Sequence, residues 1–326
     1  MRKRILFADA RDLVRSRDEI LSDGCTEREL RNRVISGALV RLHRGFYVHG
    51  AAWEQLWPEG RHLLRVIAVN LASGGRDLVF THQSAAALWE LPLHRLVDVL
   101  AHVLIRGTRH SRVTAGVARH EMTVADDDIV QRHGIWCTSL QRTVFDLARS
   151  TKLETAVSAG DAALRSVANH GQEYAHEAAA EWREELRRLS LSGLRGVKNA
   201  RWVAEFVDGR AQLPGESVSR LQLFRLGFNA PDLQVPVQGA EGDRYFLDFG
   251  FRGAQVFGEF DGEGKYLEPE LRTVDTPVDV LLAEKRREDD VRGVTGWGFA
   301  RWGNPHIATA EKLGRRLMAF GVTPPG

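Results

Sequence analysis

Near the C-terminus two short runs, Tyr245-Phe-Leu-Asp-Phe-Gly-Phe251 and Gln255-Val-Phe-Gly-Glu-Phe-Asp261, are rich in strand-forming residues and separated by Arg252-Gly-Ala254. They read as a β-hairpin. A tight two-residue turn at Gly253-Ala254 sets Asp248 directly opposite Glu259, because glycine suits the first central position of such a turn. Asp261, two residues further along, then points to the same face. Like charges directly opposite each other destabilise a sheet. A strand pair carrying these carboxylates on one face therefore needs a cation beside it, either a metal ion or a basic side chain.

The rest of the chain sets the context for that hairpin. At 326 residues it exceeds one ordinary compact domain, and two or three are expected. A formal net charge of +2 is too small to argue for nucleic-acid binding, which must rest on local patches. Cys25 and Cys137 lie far apart with no CxxC or Cys/His cluster, which argues against a disulfide scaffold or structural zinc and favours a reducing compartment. The basic start lacks the apolar stretch of a signal peptide, and no run is long enough to span a bilayer. The expected location is the cytoplasm, with no membrane partner.

At the N-terminal end, residues 11–22 read as one short helix stopped by Gly24. Thr26-Glu-Arg-Glu29 is a capping-box pattern opening a second helix, which Gly37 closes. The alternating run after Gly37, broken at Arg44-Gly45, reads as a small hairpin. Helix, turn, helix and hairpin are the plan of a winged helix. Its helix carries Arg28, Arg31 and Arg33 and its hairpin Arg41, His43 and Arg44, the residue types that a recognition helix and a wing bring to DNA. A solvated basic surface or a protein-interaction module would look the same on spacing alone.

The middle of the chain is mixed. Residues 60–73 read as helix, Thr81-His-Gln-Ser-Ala-Ala-Ala-Leu-Trp89 as a capped helix, and the stretch from Leu96 to Ile105 contains an apolar run compatible with a strand. Thr138 is read as the cap of a helix through Ala148, followed by a helix over 153–167 and a charged helical connector over 172–189. His82 and His120 show no metal partners in register and read as structural or exposed. Arg142 and Asp146, four apart on one helix, are expected to pair. Cys25 reads as a small buried apolar residue.

From about residue 191 the expected order is helix, helix, strand, hairpin, helix, strand and a last helix. Glu216 sits at the start of the second helix, where a carboxylate is favourable anyway, and forms an i,i+4 pair with Arg220.

Pro214-Gly-Glu-Ser with Arg220, Leu247-Asp-Phe, Gly258-Glu-Phe-Asp-Gly262 with Lys265-Tyr266, Glu284-Lys285 with Arg287-Glu-Asp289 and Arg292, and Arg301-Trp302 resemble the PD-(D/E)xK nuclease superfamily, in the branch similar to the very-short-patch repair endonucleases. The resemblance covers roughly 191–326. It implies Asp248 and Glu259 as main ligands of Mg²⁺ or Mn²⁺, with Glu216 completing the shell or orienting the nucleophile, and Asp261 supporting a ligand or holding a second ion. The superfamily's usual lysine, two residues after the acidic ligand, is replaced here by Asp261, so Lys265 or Lys285 would have to supply that cation. A nuclease monomer only nicks, so double-strand cleavage would imply a homodimer or sequential cuts.

Residues 20–48, with Thr-Glu-Arg-Glu-Leu-Arg and Arg44-Gly-Phe-Tyr-Val, look like the winged helix of the AbiEi family of type IV antitoxins. Weaker similarity runs through Thr81 to Pro92, Thr138 to Asp146 and Ala159 to Arg165. This resemblance implies promoter DNA as one partner and a nucleotidyltransferase toxin, encoded nearby, as another. The expectation is an α/β multi-domain protein: a winged helix-turn-helix over 1–58, a mixed α/β middle domain over 59–190, and a restriction-endonuclease-like α/β core over 191–326. Two functions compete, a metal-dependent DNA endonuclease with an antitoxin-like DNA-binding module, and an antitoxin-like transcriptional regulator whose nuclease fold is degenerate.

Overall fold

The computed structural model describes residues 3–74, 76, 78–97, 100–105, 112–170, 173–191, 193–228, 231–262 and 277–325. The chain is a mixed α/β protein whose contacts divide it into two units, residues 1–163 with 177–207, and residues 164–176 with 208–326. None of the described helices is long and apolar enough to cross a membrane.

The first unit opens with α1 (Phe7–Leu13), β1 (Arg15–Ser16), α2 (Arg17–Ser22), α3 (Glu27–Ile35), β2 (Leu39–His43) and β3 (Phe46–His49). The single helix expected over 11–22 is in fact two. Val14 is extended, Arg15 and Ser16 pair with Tyr47 and Phe46 of β3, and Ser16 with Glu19 forms a capping box that starts α2. The local pattern favoured helix throughout, and strand pairing with a segment thirty residues away overrides it. The second capping box, Thr26 with Glu29, opens α3 as its sequence dictates, and Gly37 follows the helix at φ 78°. Gly45 takes φ 79° in the β2–β3 turn, a conformation that costs glycine little.

The unit continues through α4 (Gly50–Glu54), α5 (Pro58–Ala72), α6 (His82–Leu88), β4 (Ala101–Ile105), β5 (Arg112–Thr114), β6 (Val117–Glu121), β7 (Ile129–Arg132), β8 (Ile135–Thr138) and α7 (Leu140–Ser150). The cap of α7 is Ser139, whose hydroxyl accepts the Arg142 N–H, rather than Thr138, whose hydroxyl is engaged with Thr143. Among the described residues one core cluster has members on both sides of residue 58. Ala10, Val14, Leu42 and Val48 share one core with Leu64, Ile67, Phe80, Leu88, Val103 and Cys137. A smaller cluster of Ile20, Cys25, Leu30, Leu39 and Tyr47 lies under α3, with Cys25 buried as expected.

The chain then runs through α8 (Leu153–Ala168), β9 (Asn169–His170), β10 (Glu173–Tyr174), α9 (His176–Leu189) and α10 (Val197–Phe206). The second unit is built on α11 (Pro214–Arg225), β11 (Asp232–Gln238), β12 (Arg244–Phe251), β13 (Val256–Phe260), α12 (Pro277–Thr295), β14 (Gly298–Trp302) and α13 (Ala310–Met318). Its sheet has the order β11-β12-β13-β14, antiparallel except for the β13–β14 pair. Alternation along β13 and β14 sends Val256, Phe260, Ala300 and Trp302 to one face, packed with Val218 and Leu223 of α11 and Leu313 and Leu317 of α13. Phe257 and Phe299 go to the other, with Val291 of α12. Helices thus cover both faces.

Candidate functional site

Two surfaces carry the residues that the sequence singles out. The first is α3 and the β2–β3 hairpin. Leu30 and Val34 hold α3 against the small core, so the opposite side of the helix faces solvent. Arg28, Arg31, Asn32 and Ile35, at helical spacing, form that outward stripe, and Ile35 is 84% exposed. Arg33, Arg41 and Arg44 are also exposed. Among the described residues Arg28, Arg31, Arg33 and Arg44 form no ion pair, and Arg41 only donates to the His43 carbonyl at 3.4 Å. Arg17, by contrast, is tied to Glu27 and Asp18, and Arg15 to Asp23 at 2.6 Å. Asn32 and Ile35 were not singled out from the sequence. Their spacing from Arg28 would have found them.

The second surface is the acidic hairpin. Its register agrees with the sequence reading: β12 and β13 pair as Phe249↔Gly258, Gly250↔Phe257 and Phe251↔Val256, so Asp248 and Glu259 occupy the next opposed positions. The turn differs. Arg252–Ala254 form a single 3-10 turn, with Gln255 rather than a glycine in the left-handed region at φ 51°. Phe249↔Gly258 is the last pair of the ladder, and beyond it the Phe260 N–H is accepted by the side chain of Asp248 at 2.9 Å instead of by a β12 carbonyl.

Glycines make this packing possible. A Cβ on Gly215 would fall 2.0 Å from the Phe260 ring, and one on Gly258 would fall 2.5 Å from Trp302. The first contact seats the N-terminus of α11 against the end of β13. Glu216 is there 1% exposed, and its Oε2 accepts the Gln212 N–H at 2.8 Å.

Glu259 has basic company. Its Oε1 lies 2.8 Å from Arg287 Nη1 on α12, and its Oε2 lies 3.1 Å from Arg301 Nη2, its cross-strand neighbour on β14. Arg301 also reaches Glu284 at 2.7 Å and Glu288 at 3.0 Å. Burial alone would favour the neutral form of Arg301, but Glu259, Glu284 and Glu288 outweigh it and raise its pKa. The cation demanded by carboxylates on this sheet is therefore supplied at Glu259 by guanidinium groups.

Of the remaining expected site residues, the described ones do not join this arrangement. Asp261 is exposed just past β13, with its N–H donating to the Trp302 carbonyl at 2.7 Å. Lys285 is exposed on α12. Lys265 lies outside the described residues. Among the described residues Glu216, Asp248, Glu259 and Asp261 do not bring three ligand atoms within 4.8 Å of one another; the grouping that does so is His82, His102 and His120.

That grouping corrects the reading of His82 and His120 as residues without metal partners. His102 Nδ1 lies 2.8 Å from His120 Nε2, and the His82 ring stacks on His120 with centroids 4.4 Å apart. Burial, then His120, His102, Arg149 and Arg142, hold the imidazole of His82 well below its ordinary pKa. Nearby, Arg142 and Asp146 pair at 3.0 Å as expected, and Arg149 adds a second contact at 3.3 Å. Burial nevertheless dominates at Asp146 and pushes its carboxyl up to about 6, against the pull of Arg142 and Arg149.

No family model matches the chain. It is 32% identical over 236 residues to the uncharacterized protein Rv2248 of Mycobacterium tuberculosis strain H37Rv, an alignment that spans 72% of this chain and 78% of the relative. The uncharacterized protein MT2308 of Mycobacterium tuberculosis strain CDC 1551 matches with the same identity and coverage.

Proposed function

The chain belongs to one family with Rv2248 of Mycobacterium tuberculosis, and within that family we propose that it acts as a DNA-binding regulator of the type IV antitoxin kind. The observation that carries this reading is the outward stripe of α3. Arg28 and Arg31 stand beside Asn32 and Ile35, flanked by Arg33, Arg41 and Arg44, and the arginines form no ion pair among the described residues, Arg33 having only the longer-range attraction of Glu29. A helix lying in the major groove needs guanidinium groups for phosphates and guanine, an amide for adenine and an apolar contact for the thymine methyl. Helix, turn, helix and hairpin, read as a winged helix, would present that stripe to DNA with Arg41 and Arg44 over the backbone. Unpaired arginines are also the ones that exchange counterions for phosphates at no cost in broken ion pairs. The antitoxin reading brings a protein partner with it, a nucleotidyltransferase toxin encoded nearby.

The second unit, read as a PD-(D/E)xK fold, is taken in this proposal as a retired nuclease. Mg²⁺ or Mn²⁺ needs carboxylate oxygens with uncompensated negative charge. Glu259 instead faces a guanidinium at each oxygen, so an ion would have to displace both Arg287 and Arg301. As arranged, the residues do not fit a divalent metal at Glu259. One observation favours the competing reading, an active endonuclease: Asp248 and Glu259 are both buried, at opposed positions where the β12–β13 ladder ends.

One experiment separates the two. Supercoiled plasmid is incubated with the protein and Mg²⁺ or Mn²⁺, and binding to labelled duplexes from the protein's own upstream region is measured in parallel. The regulator reading expects specific binding that Arg28→Ala with Arg31→Ala weakens, and no metal-dependent nicking. Nicking that Asp248→Ala and Glu259→Ala both abolish would overturn it in favour of the endonuclease.

A further inference from the structure

The histidine cluster of the first unit has no role in either reading. His102 stands on β4 and His120 on β6, which pair in parallel with the register His102↔Ala118 and Leu104↔His120. Both side chains therefore project from the same face, one step apart diagonally. The third histidine arrives from a different element. His82 is the first residue of α6 and sits at φ 51°, in the left-handed region that a non-glycine residue seldom occupies. Backbone strain of this kind clusters where a side chain has to be aimed.

A hydroxyl orients that side chain. Thr81, fully buried, donates its hydroxyl proton towards Met122 Sδ at 3.8 Å. Its oxygen lies 3.0 Å from His82 Nδ1 and accepts from the His82 tautomer that carries its proton on that nitrogen. With the proton on Nδ1, the Nε2 lone pair of His82 is left for a ligand, the arrangement by which outer partners fix the tautomer of metal-binding histidines.

We propose that His82, His102 and His120 form a three-histidine site for a borderline divalent transition metal of the Zn²⁺ class, with the fourth position open to water or an anion. Each residue offers a ligand atom, and all three lie within 4.8 Å of one another. A tetrahedral ion with Zn–N bonds of about 2.05 Å needs nitrogens roughly 3.3 Å apart. The His102–His120 pair, now 2.8 Å apart, opens slightly to admit the ion, and ring rotation brings His82 in. An all-imidazole donor set suits Zn²⁺, Co²⁺, Ni²⁺ or Cu²⁺ and not the oxygen-seeking Mg²⁺ or Ca²⁺. His102 is 6% exposed and anchors the site, whereas His82 and His120 are half-buried and leave a way in. The site is independent of the regulator reading and of the carboxylates on β12 and β13.

The test uses the full chain stripped of metal. Co²⁺ is titrated in and followed by its visible absorption, and Zn²⁺ affinity is measured in competition with a chromophoric chelator. One equivalent of Co²⁺ with intense tetrahedral bands, displaced by Zn²⁺, is expected. His82→Gln and His120→Gln each abolish that equivalent, and Thr81→Val weakens it by about 10–100-fold. Asp248→Ala and Glu259→Ala leave it intact. If His102→Gln disrupts the sheet, the two half-buried positions carry the test, with circular dichroism as the check on folding. The chain has 12 histidines, so weak binding of several equivalents that survives His82→Gln and His120→Gln marks scattered surface sites and overturns the proposal. So does an absence of tetrahedral Co²⁺ bands in the wild type.

Discussion

The salt dependence of DNA binding tests the α3 surface more sharply than affinity does. Each phosphate neutralised by a basic side chain contributes about −0.9 to the slope of log K against log salt. Arg28, Arg31, Arg33, Arg41 and Arg44 are exposed and form no ion pair among the described residues. If all five meet phosphate, the slope is about −4.5, and affinity falls roughly 500-fold between about 50 and about 200 mM salt. Replacing Arg28 and Arg31 by alanine should bring the slope to about −2.7 and the loss to roughly 40-fold over the same range. Arg17→Ala is the internal control. Its guanidinium is already held by Glu27 and Asp18, so its removal should leave the slope unchanged. The assay is fluorescence anisotropy of a labelled duplex across a KCl series, with helicity checked for each variant. A slope that Arg28→Ala with Arg31→Ala does not alter, or that Arg17→Ala alters as much, would show that DNA does not meet this face of α3.

Three further outcomes follow from the packing. Gly215→Ala puts a methyl group 2.0 Å from the Phe260 ring and should cost about 1–3 kcal/mol in urea unfolding followed by tryptophan emission, whereas Gly253→Ala, with nothing within 4 Å of its Cβ, should be neutral. Glu259→Gln removes the charge facing Arg287 and Arg301, each partly exposed, and should cost roughly 1.5–3 kcal/mol in the same assay; no loss of stability would mean that the pair is incidental. Asp146 binds its proton more tightly when folded, at about 6 against an ordinary 3.8, so its contribution to stability is fully present below the unfolded value and is lost as pH rises through about 6. The stability of the wild type relative to Asp146→Asn should therefore fall by on the order of 3 kcal/mol between those limits and stay level above them. A difference that does not change with pH would mean that Arg142 and Arg149 hold the carboxylate charged throughout.

Much of what depends on neighbours along the chain was legible in the sequence. The Thr26–Glu29 capping box, the left-handed Gly37 after α3 and the Arg142–Asp146 pair all follow from spacings of a few residues, because a helix brings i, i+3 and i+4 together wherever it forms. The opposed positions of Asp248 and Glu259 follow from period-two alternation about a short turn, which survives even though the turn itself is built differently. The sequence also implied that these carboxylates need a cation. It could not say that Arg287, 28 residues after Glu259, and Arg301, 42 residues after it, would be that cation, since this depends on how α12 lies on the sheet and on β14 pairing in parallel with β13. The same limit hid the histidine cluster. His82, His102 and His120 come from three elements with no common spacing, and His102 is one polar residue in an otherwise apolar strand. Local periodicity sets which side of each element is buried. Only the closing of the core, by choosing which buried faces meet, decides which polar groups are carried into contact.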